Sequence, residues 1–343
     1  MVRRRFTARR GGGPRPIRSP YARLFQLVGN DEAEDVHRFI EHHGLDVEMR
    51  INGETAMHVA ARNNARNVAQ VLNLHHADVN AQADANGFTP LMVGIVRQNR
   101  RIVRWLLQHP DVDTDIRDNG GFAAVHHAIS TGNLRIIQPF QVIRGHQSFD
   151  VRTMRHGLLP LHIAVSNGMY DVFLYLSDLP DFDVDAITTN GRTAFHFAIR
   201  RERAMFLPVF ADSDADLHAT TADGLTAMHM VARNGNTVLA ELLMGEPHHL
   251  EIDVVDGHNL RPIHHAAIRG HLDMVELLHS SGASLEGILE HASNTGNAEV
   301  VQYALLNGAG VERWRVRVAL LGASRMGYED VIHVLLVSMR WNV

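Results

Sequence analysis

Residues 52–61 read NGETAMHVAA, and this stretch decides the fold because it returns six more times along the chain. Close copies are NGFTPLM at 86–92 and NGRTAFHFA at 190–198. One position in each copy, usually histidine, marks the register, and these signature positions are His58, Met92, His126, His162, His196, His229 and His264. Their spacing of about 34 residues indicates a chain built from one repeated structural unit.

Each part of the unit has a physical role in a pair of helices. Threonine and proline at the start favour a helix N-terminus, because threonine caps free amides and proline fits the first turn. Glycine often follows six residues after the signature position, as at Gly168 and Gly235, where it permits a left-handed turn into a second helix. One such pair cannot bury its apolar face alone, so the pairs must stack side by side.

The pattern resembles the ankyrin repeat, whose unit of about 33 residues carries a Gly-x-Thr-Pro-Leu-His signature. The resemblance covers residues 20–343. It implies an all-α ankyrin-repeat solenoid of stacked helix-turn-helix units, each with a β-hairpin finger before its first helix. It also implies that the signature histidines hydrogen-bond the backbone of a neighbouring finger and bind no metal.

The two ends depart from the signature, as the capping units of a repeat array do. Glu290 and Leu321 take the signature position in the last units, which lack the finger. We predict a disordered arginine-rich tail at 1–19, a capping helix pair at 20–51, seven ankyrin repeats at 52–287, and finger-less units with a C-terminal cap at 288–343.

Two prolines, Pro139 and Pro208, fall within second helices of the repeat pattern. Proline inside a helix removes one backbone hydrogen bond and clashes with the preceding turn. Each of them therefore predicts a locally shortened helix or, as the alternative, a kink that reshapes the outer side for a partner.

The charge is unevenly distributed along the chain. Residues 1–18 contain seven arginines and no acid, whereas all 38 acidic residues follow. Such an arm suits a nuclear-import signal, contact with an anionic surface, a secretion signal or a tail without a dedicated role. No apolar segment follows these arginines, so we expect no secretory signal peptide. We expect an intracellular protein, cytoplasmic or nuclear, or one delivered into a host cell.

Lysine is absent, and all 33 basic residues are arginine. Helix surfaces accept lysine and arginine almost equally, so folding does not explain the difference. Ubiquitin conjugation, acetylation and methylation all act on lysine. The absence favours selection against such modification, and nucleotide bias or engineering is the alternative.

The sequence offers no pattern that carries catalysis. Cysteine is absent, and the chain has no nucleophile elbow, no lysine-containing phosphate loop and no dinucleotide fingerprint on a strand. The chain has 24 histidines, but the adjacent pairs point in different directions on a helix and no His-Glu-x-x-His spacing exists. We therefore predict no enzyme, no cofactor and no metal site.

A partner-binding face is predicted from the repeat register. The residues four and five positions after each signature position should line a concave face formed by the fingers and the first helices. Arginine is frequent there, at Arg62, Arg97, Arg200, Arg201, Arg233 and Arg269. A stripe of guanidinium groups favours a partner segment rich in acidic residues or phosphate. Alternatively, these arginines are ordinary turn residues of the repeat.

The finger tips add an apolar element to this face. Large side chains follow the finger glycines, and exposed apolar residues there are better explained by binding than by folding. They are Phe88, Phe122, Leu158 and Leu225.

These features together predict a non-enzymatic protein–protein interaction module. Its lack of lysine suggests action near a ubiquitin system, as a ligase substrate adaptor or as a secreted host-directed effector. The alternatives are a passive structural scaffold or inhibitor, and a cryptic enzyme. Nucleic acid is a weaker partner, because the body of the chain is net acidic. No apolar run is long enough to span a membrane.

Overall fold

The computed structural model describes residues 20–309 and 313–341. The predicted arginine-rich tail, residues 1–19, lies outside the described residues. By its internal contacts the chain divides into two compact units, Met1–Ser148 and Phe149–Val343. These units do not coincide with the segments predicted from the sequence, which stay predictions about domain organisation.

The described part of the first unit consists of helix pairs. Helix α1 begins at Pro20, directly after the segment that the structure does not describe. The eight α-helices are α1 Pro20–Gly29, α2 Ala33–His43, α3 Ala56–Arg62, α4 Arg66–Leu74, α5 Pro90–Val96, α6 Arg100–Gln108, α7 Ala124–Ser130 and α8 Leu134–Arg144. A 3-10 helix, His146–Phe149, follows α8.

The second unit continues the same alternation of a first and a second helix. Its α-helices are α9 Pro160–Asn167, α10 Tyr170–Ser177, α11 Ala194–Arg200, α12 Leu207–Asp212, α13 Ala227–Asn234, α14 Thr237–Met244, α15 Pro262–Arg269, α16 Leu272–Ser280, α17 Ile288–Thr295, α18 Ala298–Leu306, α19 Arg313–Met326 and α20 Glu329–Trp341. A short 3-10 helix, Ala204–Phe206, precedes α12.

Within each unit the helices form two layers. In the first unit the first helices α1, α3, α5 and α7 contact one another in sequence, and so do the second helices α2, α4, α6 and α8. In the second unit the first helices from α9 to α19 pack in the same consecutive order. The core lies between the layers, where small first-helix residues such as Ala60 and Ala198 and larger second-helix residues such as Leu72 and Leu243 are buried. The predicted all-α stack of helix pairs is confirmed.

The turn between the two helices of a repeat uses the left-handed backbone region. Gly168 and Gly235 adopt φ values of 74° and 75°, as the sequence predicted. Three repeats place other residues at the same position, Asn64, Gln98 and Glu202, with φ between 54° and 58°. A side chain in this region costs about 1–2 kcal/mol of backbone strain, less for asparagine, so the turn is imposed by the surrounding packing.

The fingers are tight turns rather than extended hairpins. Among the described residues the only bridge of β type joins Ile51 and Glu54. Each finger is closed by a backbone hydrogen bond such as Ala83 N–H to Phe88 O at 2.9 Å. Consecutive fingers within a unit are joined by another, such as Asn119 N–H to Asn86 O at 2.9 Å. The finger backbone is therefore fixed by its neighbour, although ladders long enough to count as strands do not form.

The two prolines have different outcomes. Pro139 lies in the middle of α8, yet this helix continues for 11 residues, so the expectation of a shortened helix is wrong there. The buried side chains of Ile137 and Phe140 on either side hold the helix through the missing hydrogen bond. Pro208 lies in the first turn of the short α12, where proline is well tolerated.

Candidate functional site

The signature histidines hold neighbouring repeats together. The Nδ1 atom of His58 accepts a hydrogen bond from Thr55 N–H at 3.2 Å, and its Nε2 donates to the carbonyl of Phe88 in the next finger at 2.9 Å. The same second bond joins His162 to Ala186 at 2.9 Å, His229 to Leu260 at 3.0 Å and His264 to Glu286 at 2.6 Å. The structural role implied by the family resemblance is confirmed for these histidines.

Burial sets the charge state of these imidazole rings. Loss of solvent lowers the pKa of His162 and of His196 to about 4, from an ordinary value of 6.5. The pKa values of His58, His229 and His264 are lowered for the same cause. A neutral ring with one donor and one acceptor fits the two hydrogen bonds that each bridge requires.

Two fingers contain a further aspartate–histidine pair. In the first unit Asp118 accepts backbone hydrogen bonds from Gly120 and Phe122, both at 2.9 Å, and its other oxygen lies 2.8 Å from Nε2 of His127. Its side chain is only 6% exposed. A carboxylate this deeply buried is stable only when hydrogen-bonded, so the pair locks the finger onto the first helix that follows.

The second unit repeats this lock at Asp256 and His265, 2.8 Å apart. Asp256 also accepts from the backbone N–H groups of His258 and Leu260, at 2.8 and 2.9 Å. Burial alone would raise the pKa of this carboxyl, but the hydrogen bonds from Leu260, His265 and His258 outweigh burial and lower it. His127 and His265, the second histidines of the adjacent pairs 126–127 and 264–265, thus each form a finger lock with an aspartate.

One cluster has the composition of a metal site. Single ligand atoms of His229, Asp256 and His265 lie within 4.8 Å of one another. Each of the three already has a protein partner, because Nε2 of His229 donates to Leu260 and His265 pairs with Asp256. The first unit makes the same aspartate–histidine pair although Met92 takes the preceding signature position. Hydrogen bonding of the finger therefore accounts for the cluster.

The four apolar tip residues are less exposed than the sequence analysis expected. All four are partly buried, in contrast to the exposed apolar side chains elsewhere on the chain, and they are Phe88, Phe122, Leu158 and Leu225. The ring of Phe88 lies 4.8 Å from that of His127, and Phe122 lies 6.0 Å from the same ring. Phe88 thus packs against a histidine of the next repeat and Phe122 against the same histidine in its own repeat, and a binding role for the four tip residues stays a prediction.

The two predicted arginines of the first unit differ in their surroundings. Arg62 is half-buried and forms an ion pair with Glu54 of its own finger. Arg97 follows α5 directly, is exposed and forms no ion pair with another described residue. Arg62 therefore already has a partner within its repeat, whereas Arg97 presents a free charge.

The predicted arginines of the second unit lie at the C-terminal ends of consecutive first helices. Arg200 ends α11, Arg201 caps it, Arg233 lies in the last turn of α13 and Arg269 ends α15. Since α11 packs on α13 and α13 on α15, the helix ends form a row. All four side chains are exposed, and none forms a side-chain ion pair among the described residues. A helix C-terminus also favours a cation, which is the structural reason for arginine here.

A fifth arginine, Arg192, belongs to this row and was missed by the sequence analysis. It takes the finger-tip position that Phe88 takes in another repeat, so the aligned fingers carried the signal. The pKa of Arg200 is lowered, first by partial burial and then by the nearby charges of Arg192 and Arg201. The Nε atom of Arg192 is buried without a hydrogen-bond partner among the described residues. Positive charge is thus concentrated at this finger.

Comparison with known proteins agrees with the geometry. The sequence profile for ankyrin repeats (3 copies) matches residues 24–118 and 202–288, and that for ankyrin repeats (many copies) matches 161–210. The chain belongs to the ankyrin repeat family. Ankyrin repeats are generally protein–protein interaction modules, and their fold is typically a binding scaffold without enzymatic activity.

The relatives of this ankyrin repeat protein share its repeats over part of their length. Rabankyrin-5 of Homo sapiens is 30% identical over 125 residues, which is 36% of this chain and 10% of that protein. The putative ankyrin repeat protein FPV031 of Fowlpox virus is 27% identical over 169 residues, 47% of this chain and 49% of that protein. The chain therefore spans a tenth to a half of these relatives.

A solved structure shows the same fold. The ankyrin repeat domain of Bcl-3, a member of the IkappaB protein family, aligns with a TM-score of 0.54 and 23% identity, over 61% of this chain and 92% of that chain. No helix among the described residues is long and apolar enough to cross a membrane.

Proposed function

We propose that this ankyrin repeat protein binds a partner protein through the finger and first-helix side of its repeats, and acts by binding rather than by catalysis. The observation that carries the proposal is the row formed by Arg200, Arg201, Arg233 and Arg269 at three consecutive helix ends, with Arg192 at the adjoining finger. Exposed charges of this kind add little to stability, and a row of them is available for recognition.

The partner segment is acidic or phosphorylated. Guanidinium groups bind carboxylates and phosphates through two parallel hydrogen bonds, and a row of them accelerates encounter with an anionic segment at low salt. On the finger and first-helix side of the first unit, Arg97 would act in the same way, together with Arg62 once its bond to Glu54 is exchanged. The partly buried tips would supply salt-insensitive contacts, and they are Phe88, Phe122, Leu158 and Leu225.

The missing lysine supports a setting for this binding. A chain without ε-amino groups offers no side-chain acceptor for ubiquitin. We therefore place its action beside a ubiquitin system inside a cell, in cytoplasm or nucleus, as a substrate adaptor or as an effector delivered into a host. A passive scaffold or inhibitor would use the same face without recruiting a ligase.

Affinity purification of the full chain, followed by mass spectrometry, tests the proposal. We expect a partner that is lost when Arg200, Arg201, Arg233 and Arg269 are all changed to glutamate. A matched control changes four exposed arginines outside this row, Arg23, Arg203, Arg317 and Arg325, to glutamate, which alters the net charge equally. Capture of the same partner at wild-type yield by the first variant would refute the proposal. Ligase components among the captured proteins separate the adaptor from a passive scaffold.

A further inference from the structure

A second basic surface lies on the other helix layer of the first unit. Helix α6 reads RRIVRWLLQ, and its buried residues are Ile102, Val103, Leu106 and Leu107. The three arginines of α6 occupy the opposite side and are exposed, and they are Arg100, Arg101 and Arg104. Neither this helix nor its neighbours α4 and α8 contains an acidic residue.

These arginines surround a groove between α6 and α8. The groove has a volume of about 690 Å³ and is lined by Arg100, Arg101 and Arg104 from one helix and by Arg135 from the other. Pro139, Val142 and Ile143 of α8 form an apolar wall along it, and the side chain of Val142 is 79% exposed. The groove thus combines four cations with a solvent-exposed apolar side.

The four guanidinium groups are unpaired. None of them forms an ion pair or a side-chain hydrogen bond with another described residue, whereas Arg38 and Arg50 of the same unit pair with acids. Arg100 and Arg104 are four residues apart on one helix, and like charges at that spacing destabilise a helix. Folding therefore gains nothing from this cluster of four arginines. The cluster is a local concentration of positive charge in a chain whose formal net charge is −5.

We propose that this groove, which we call the outer arginine groove, binds an acidic peptide segment of a partner protein that also carries apolar side chains. The four guanidinium groups would bind the carboxylates, and an apolar residue of the segment would cover Val142 and the ring of Pro139. The proposal is separate from the finger and first-helix side, because its residues lie on second helices.

The apolar wall selects a peptide over other anions. The sugar-phosphate backbone of nucleic acid is held mainly by cations and polar groups, and gains little from aliphatic side chains such as Val142. A membrane surface would require a broad basic face, whereas a groove of this volume suits one extended or helical segment. Acidic residues interspersed with leucine satisfy both sides of the groove.

Fluorescence anisotropy of the full chain with a labelled peptide of alternating glutamate and leucine residues tests the proposal. We expect binding that weakens as salt is raised, and a loss of at least tenfold in affinity when Arg100, Arg101, Arg104 and Arg135 are changed to glutamate. The control changes four exposed arginines outside both proposed binding surfaces, Arg23, Arg203, Arg317 and Arg325, to glutamate, and should leave this affinity within twofold. Circular dichroism of both variants verifies that they are folded.

A second variant addresses the apolar wall. Val142→Ser keeps all charges and removes exposed apolar surface, so we expect a several-fold loss of affinity with an unchanged salt dependence. Unchanged affinity in Val142→Ser would overturn the proposal, since plain attraction of counter-ions needs no apolar wall. Tighter binding of duplex DNA or of vesicles containing a phosphoinositide, dependent on the same four arginines, would overturn it as well.

Discussion

The second helices α4, α6 and α8 of the first unit and those from α10 to α18 of the second unit have the same inner face and opposite outer charge. In the first unit α4, α6 and α8 carry arginines and no acid, namely Arg66, Arg100, Arg101, Arg104, Arg135 and Arg144. In the second unit the helices from α10 to α18 carry acids and no arginine, namely Asp171, Asp212, Glu241, Asp273, Glu276 and Glu299.

The inner faces show what the fold requires of these helices. Ile102, Val103 and Leu106 of α6 are buried, and Met274, Val275 and Leu278 of α16 are buried in the same spacing. Packing therefore fixes the apolar positions in both units and leaves the outer positions open. The opposite outer charges therefore show that packing does not set the charge of this layer.

The buried signature histidines make the interior of each unit sensitive to acid. Because the folded pKa of His162 and of His196 is about 4 and the ordinary value is 6.5, the unfolded chain binds more protons between these values. Stability is therefore complete above pH 6.5 and is lost as the pH falls towards 4. From pH 7 to pH 5 we expect each ring to remove about 2 kcal/mol from the free energy of unfolding.

Urea unfolding followed by hydrogen exchange in each unit measures this effect. The second unit should lose more, because it has four signature histidines and the first unit has Met92 in place of one. His156→Gln, a change at an exposed histidine, controls for loss of a surface imidazole. Equal acid sensitivity of the two units would contradict the difference.

The finger locks should be equivalent in the two units. Replacing Asp118 or Asp256 by alanine leaves two backbone N–H groups and a partly buried histidine without their hydrogen-bond acceptor. We therefore expect each replacement to lower the free energy of unfolding by about 3 kcal/mol. Asp223→Ala, at an exposed finger position, is the matched control and should have little effect. Hydrogen exchange of the backbone N–H groups of Phe122 and Leu260 reports on the two fingers separately. If one of these groups stays strongly protected after its aspartate is replaced, the lock in that finger is not needed.

The outer charges should matter least for folding. Changing Arg100 and Arg104 to glutamate in one variant, and Glu241 and Glu276 to arginine in another, alters exposed positions only. We expect each variant to shift the melting temperature by less than about 2 °C, because exposed charges contribute little. A fall of more than about 5 °C in differential scanning calorimetry would mean that the outer charges are part of the fold after all.

The repeat register could be predicted from sequence because it rests on local chemistry. The glycine turns, the helix starts and the bridges of His58 and His162 all follow from residues at fixed spacing. Tertiary packing decided the rest. Pro139 remains inside a helix because Ile137 and Phe140 are buried beside it.

The candidate site was less predictable than the fold. Position in the repeat identified the row from Arg200 to Arg269, but it could not show that Arg62 is paired with Glu54 or that Phe88 packs on a histidine ring. The finger locks did leave a signal, since an aspartate stands nine residues before His127 and before His265. That spacing becomes meaningful only once the finger is known to fold back onto the helix.

The backbone bonds between fingers have a consequence for how such a chain changes over generations. Asn119 N–H bonds to Asn86 O, and Gly257 N–H to Asp223 O, so that one finger holds the next through main-chain atoms alone. A repeat that is duplicated or exchanged therefore keeps the backbone groups that bond it to the neighbouring fingers, whatever residue stands at its tip. Recombination can therefore add or replace repeats, and so change the residues at the finger tips, without disturbing the register of the repeats.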